Sequence, residues 1–150
     1  MKQAFYKEED TIFLRGAHMQ NAWSNVRFLG SVSAGFPSPA DDYQEPKLDL
    51  NELVAPHPLS TYFMRVAGDS MVGACINHGD VVAIDRALTA THKKIVVARL
   101  GDAFTLKRLW IMHPSVYLRA ENPKYQPIEV SSHPDFEIFG VVTYVIHRMR

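Results

Sequence analysis

The chain is short of several things: it has one cysteine, no excess charge of either sign, no long apolar run and no proline before position 37. A single cysteine, Cys75, excludes an intramolecular disulfide, and between Ala74 and Ile76 it reads as a small buried hydrophobe. The 16 basic and 16 acidic side chains cancel, and neither the first 40 residues nor the remainder is charge-biased. No basic stripe is present for phosphate binding and no acidic tail for a cationic partner. No apolar run approaches the ~20 residues that cross a bilayer, and the first ten residues lack the apolar core of a signal peptide. These absences predict a cytoplasmic chain without a membrane span. Its 150 residues suffice for one domain with a sizeable core.

What is present is unevenly distributed. Pro37, Pro39, Pro46, Pro56 and Pro58 crowd one stretch, and no further proline occurs until Pro114. Proline density of this kind favours extended, non-helical chain. The stretch therefore reads as a tether between an N-terminal arm and a compact body. In the body, Tyr62–Ala67, Val81–Ile84, Ile95–Ala98, Val116–Leu118 and Phe136–Val142 are short runs rich in β-branched and aromatic residues. Gly68-Asp69, Gly79-Asp80 and Gly101-Asp102 punctuate them, and the last predicts a two-residue hairpin loop. No helical pattern longer than about two turns stands out, so a mainly-β body is expected.

Chemistry-bearing residues are few. The seven histidines (His18, His57, His78, His92, His113, His133 and His147) show no His-x-His or His-x₃-His spacing and no neighbouring cysteine. They read as scattered surface or loop residues, and neither a metal nor a cofactor is expected. Gly68-Asp69-Ser70-Met71 is more informative, because a serine just after a strand-ending turn exposes its hydroxyl among free backbone N–H groups. The same four residues are also an ordinary turn composition. No Gly-x-Ser-x-Gly elbow implies a histidine partner, which leaves a lysine held neutral by burial as the base. Lys107 is the candidate. Strand alternation in Phe104–Trp110 puts Lys107 with Thr105 and Leu109, and Arg108 with Leu106 and Trp110. Periodicity alone leaves open which of these faces is buried.

From Ser33 onward the chain resembles UmuD-type proteins, the self-cleaving SOS mutagenesis subunits related to the LexA repressor. The matching stretches include Ala34-Gly35-Phe36-Pro37-Ser38-Pro39-Ala40, His57-Pro58, Thr61-Tyr62-Phe63, Gly68-Asp69-Ser70-Met71, Gly79-Asp80-Val81, Phe104-Thr105-Leu106-Lys107-Arg108-Leu109 and Phe139-Gly140-Val141-Val142. They occur in the order the family has them. The chain departs from the family at Val72-Gly73-Ala74-Cys75, where an acidic turn is usual, and at His92-Lys93-Lys94, where His-Gly is common.

The resemblance implies a mainly β fold of coiled sheets, as in LexA and signal peptidases, with a flexible N-terminal arm. It implies a serine endopeptidase with Ser70 as nucleophile, Lys107 as general base, and an oxyanion hole from the backbone N–H groups of Asp69 and Ser70. Self-cleavage is expected between Ala34 and Gly35. That divides the chain into an arm removed by cleavage (1–34), a Pro-rich tether (35–59) and the peptidase domain (60–150). A homodimer, a UmuC-like DNA polymerase subunit and a RecA–single-stranded DNA filament are the implied partners, with no sequence-specific DNA binding and no membrane. The alternative is a non-catalytic polymerase-binding subunit on the same fold.

Overall fold

The computed structural model of the chain describes Ala34, Gly35 and residues 48–149. The rest of the expected arm and the Pro-rich part of the tether lie outside the described residues. The tether's last portion differs from the extended chain expected of it, because a short helix, α1 (Leu50–Val54), sits between Pro46 and Pro56. Asp49 caps it: its carboxylate accepts from the Asn51 N–H at 2.7 Å, and its carbonyl accepts from the Leu53 N–H at 3.0 Å. Proline spacing permitted this single turn and a half, since no proline falls inside it.

Seven antiparallel strands follow: β1 (Thr61–Arg65), β2 (Val81–Asp85), β3 (Ile95–Leu100), β4 (Ala103–Met112), β5 (Ser115–Arg119), β6 (Ile128–Glu129) and β7 (Phe136–Ile146). They form one sheet in the order β1-β2-β7-β3-β4-β5-β6. The mainly-β reading holds, and Gly101-Asp102 closes the β3–β4 hairpin with Leu100 opposite Ala103. The two-residue β6 had no counterpart in the sequence pattern, being too short to show alternation.

β7 joins the two halves, pairing with β2 on one side and β3 on the other. Its register shifts twice, between Ala83 and Ile84 of β2 and between Val97 and Ala98 of β3. Each shift leaves one residue of β7, Thr143 or Phe139, without an opposite partner, which bends the strand and steepens its twist. Gly140 lies between them because nothing larger fits: a Cβ there would stand 2.7 Å from Ile84 Cγ2 and 3.1 Å from the Asp85 carbonyl oxygen.

The bent sheet buries both of its faces. Val66, Met71, Ile76, Val82, Ile84 and Val97 form one core cluster, and Val96, Ala98, Leu109, Leu118, Val130 and Val141 form the other. β3 alternates between them, Val96 and Ala98 facing one and Val97 the other, as strand periodicity requires. Among the described residues no helix is long and apolar enough to cross a membrane.

Two of the histidines are less idle than their spacing suggested. His147 Nδ1 pairs with the buried Asp80 at 2.6 Å, and His57 Nδ1 pairs with Asp85 at 2.6 Å. Asp85 is 1% exposed. It also accepts from the Ala87 N–H at 2.8 Å and the Ser60 hydroxyl at 3.3 Å, so it ties the segment before β1 to the end of β2. Burial by itself raises the Asp85 pKa, but the bonds from His57, Ala87 and Ser60 outweigh it and hold the carboxyl below the usual carboxylate range. The stability from this ionised group is therefore present above the unfolded carboxylate pKa of about 3.9 and is lost as pH falls through the lower native value. Asp85→Ala is expected to destabilise by about 1–2 kcal/mol at pH 7. Its stability should also fall less steeply below about pH 4 than that of the wild type. Urea titrations at pH 7 and pH 3.5 measure both, and equal acid slopes would refute the assignment.

Candidate active site

The β1–β2 connection is a closed loop. The Val66 N–H donates to the Asp80 carbonyl and the Gly79 N–H to the Val66 carbonyl, each at 2.8 Å. Met71 and Ile76, both 1% exposed, plug the loop into the first core cluster. Between them the backbone makes a 3-10 turn, Val72–Ala74. Cys75 closes this turn in the left-handed region (φ 58°) and is exposed, which corrects the reading of it as a buried hydrophobe. Alternation cannot anticipate a side chain turned outward by a helix cap. Ser70 sits immediately before the Met71 anchor, so its position follows from the packing of its neighbour.

The opposite wall is β4. Lys107 is 7% exposed and shares the inward face with Leu109, which settles the choice that alternation left open. Its Nζ donates to Ser70 Oγ at 2.9 Å and to the Leu106 carbonyl at 3.0 Å. Burial pushes the Lys107 pKa down, because the ammonium loses its water and, among the described residues, no carboxylate pairs with it. Among the expected site residues, the structure thus brings Ser70 and Lys107 together across 37 positions of sequence. Ala34 and Gly35 are an exposed bend.

Several residues of this neighbourhood were not legible as site residues. Asn122 is buried and donates from Nδ2 to the Asp69 carbonyl at 2.9 Å and to Asp69 Oδ2 at 3.3 Å. Its Oδ1 accepts from the Lys124 N–H at 3.1 Å. The Tyr125 hydroxyl donates to Asp69 Oδ1, and the Tyr125 ring centroid lies 6.0 Å from Lys107 Nζ. The Tyr125 bond is the largest influence on the Asp69 carboxyl, whose pKa lies below the usual range. A backbone link completes the contact, with the Gly73 N–H donating to the Glu121 carbonyl at 2.7 Å. The only local signal was the turn composition Glu121-Asn122-Pro123, which says nothing about a partner more than fifty residues away. Lys93 and Lys94, which depart from the family's His-Gly pair, are exposed, and Lys93 Nζ lies 5.7 Å from the Trp110 ring centroid.

A buried lysine amine bonded to a loop serine is an arrangement that can deprotonate the hydroxyl without histidine. Comparison with known proteins agrees in kind. The profile of the Peptidase S24-like family matches residues 27–143. Protein ImpA of Salmonella typhimurium is 41% identical over 150 positions, covering 93% of this chain and 97% of ImpA. Protein MucA of Escherichia coli is 43% identical over 118 positions, covering 78% of this chain and 80% of MucA. The LexA repressor of Pseudomonas chlororaphis is 37% identical over 126 positions, covering 83% of this chain and 62% of the repressor. With the profile spanning most of its length and relatives this similar, the chain belongs to the Peptidase S24-like family, as the UmuD- and LexA-type motifs implied.

Proposed function

We propose that this chain is a self-cleaving serine peptidase of the SOS response that cuts its own Ala34–Gly35 bond. The observation that carries this reading is the 2.9 Å bond between Lys107 Nζ and Ser70 Oγ, made by a lysine that is 7% exposed. An ordinary lysine, with pKa near 10.4, is neutral in only about one molecule in 10³ at pH 7.4, a deficit of roughly 4 kcal/mol. Desolvation reduces that deficit.

Neutral Lys107 accepts the Ser70 proton as the alkoxide attacks the Ala34 carbonyl. The resulting oxyanion is held by the backbone N–H groups of Asp69 and Ser70. Collapse breaks the bond to Gly35, whose amine takes the proton from Lys107. Water, deprotonated by Lys107, then frees residues 1–34 from the acyl-enzyme. Because the substrate is part of the chain, its effective concentration is high whenever the arm occupies the site. An alanine followed by a glycine gives the backbone little bulk to accommodate there.

Control then lies in docking the arm, and family resemblance assigns that step to a RecA–single-stranded DNA filament. The product, residues 35–150, would work in the cytoplasm as a homodimeric accessory subunit of a UmuC-like translesion polymerase. The neutral charge of the chain fits a protein that leaves DNA contact to those partners.

The test is intact mass spectrometry after incubation with RecA, nucleotide and single-stranded DNA. Loss of residues 1–34 from the wild type, and its absence in Ser70→Ala, is the expected result. Cleavage at another bond, or cleavage that persists in Ser70→Ala, would sink the proposal.

A further inference from the structure

The loop after β5 reaches the nucleophile's own peptide. The Asp69 carbonyl and the Ser70 N–H belong to one planar peptide unit and point in opposite directions. A donor that fixes the carbonyl therefore fixes the direction of the N–H. Asn122 is that donor, at 2.9 Å, and it is itself held by burial and by the Lys124 N–H. Tyr125 acts on the same residue through its side chain, bonding the Asp69 carboxylate while its ring lies over the Lys107 amine.

We propose that Asn122 and Tyr125 are positioning residues for the Ser70–Lys107 pair. Asn122 aims the Ser70 N–H as an oxyanion donor through the shared peptide. Tyr125 steadies Asp69 with its hydroxyl and keeps water from Lys107 with its ring. The proposal rests on the peptidase reading above and deepens it by assigning groups that exchange no proton and form no bond in the reaction.

The geometry separates these roles. An oxyanion donor acts on the transition state and leaves the titration of the base unchanged. A ring that excludes water acts on the base, since access of water restores the charged form. Among the described residues, the groups facing the Lys107 amine are the Ser70 hydroxyl, the Leu106 carbonyl and the Tyr125 ring. The Tyr125 hydroxyl bonds Asp69, whose carboxylate lies 3.9 Å from Lys124 Nζ. Tyr125→Leu and Tyr125→Phe both lose the hydroxyl bond to Asp69, so a difference between these two variants reports the ring and not the carboxylate.

The experiment is the first-order rate of arm release by the full chain as a function of pH, with thermal unfolding of each protein recorded alongside. Asn122→Ala should lower the plateau rate about tenfold or more with an unchanged midpoint. Tyr125→Leu should move the midpoint upward, and Tyr125→Phe should restore it while the plateau stays about threefold low. A role confined to stability would not separate plateau from midpoint in this way. If Asn122→Ala fails to fold, the two Tyr125 variants, at a position 41% exposed, carry the test. A wild-type plateau in Asn122→Ala, or a wild-type midpoint in Tyr125→Leu, would overturn the positioning roles while Ser70→Ala remains inert. A wild type that keeps its arm at every pH would instead remove the peptidase reading, and these roles with it.

Discussion

Lys107→Ala is expected to lower self-cleavage by about 10³-fold, and the loss should persist across the whole pH range in which the protein stays folded. The wild-type rate should rise with pH in proportion to neutral Lys107 and level off above its pKa. Burial disfavours the ammonium, so that midpoint lies below the ordinary lysine value of about 10.4. Lys107→Arg should be as inactive as alanine, because a guanidinium stays protonated throughout. The same shift has an opposite consequence for stability. The unfolded chain binds more protons than the native one between the lowered pKa and about 10.4, so wild-type stability rises with pH in that window. Below it the penalty of the buried cation is fully present. Lys107→Met, which keeps the stem and removes the charge, should therefore be inactive yet at least as stable as the wild type at pH 7. A gel assay of arm release across pH, together with urea denaturation, decides both points. A flat wild-type pH profile would rule out a lysine base.

Gly73→Ala should be the most damaging single methyl group near the site. A Cβ there would meet the Glu121 carbonyl oxygen at 2.5 Å and its carbon at 3.3 Å, and both are backbone atoms that no rotamer change can move. The loop must retreat, breaking the Gly73 N–H bond to Glu121 and drawing Asn122 and Tyr125 away from Asp69. Overpacking together with one lost hydrogen bond costs about 2–4 kcal/mol. Cleavage should fall about tenfold or more, because the Ser70 peptide is then held from one side only. Chemical denaturation and arm release read the two effects, and a variant with both wild-type values would show that the contact does not matter. Glycine at position 73 is what lets the two loops touch.

Much of the fold was legible because its causes are local. Short runs of three to seven residues rich in β-branched and aromatic side chains, several of them set off by Gly-Asp turns, predicted β1, β2, β3, β5 and β7 within a few residues of their ends. The Gly101-Asp102 hairpin was legible for the same reason. α1 was missed because a single capped turn has no period to read. Cys75 was misplaced because its exposure follows from the turn before it, while the apolar neighbours Ala74 and Ile76 suggested burial.

For the site, the sequence by itself determined the residue types and their alternatives. It supplied a serine on a turn, a lysine on an alternating strand, and motifs that joined them by family resemblance. Tertiary structure decided which face of β4 is buried, because that depends on Leu109 packing with Val96, Leu118 and Val141, residues from other strands. It also brought Asn122 and Tyr125 to Asp69 across 53 and 56 positions. Local pattern carries periods of two and of 3.6 residues and nothing longer. A contact closed by the order of strands in a sheet leaves no trace in either period, so these two residues became visible only once the sheet was formed.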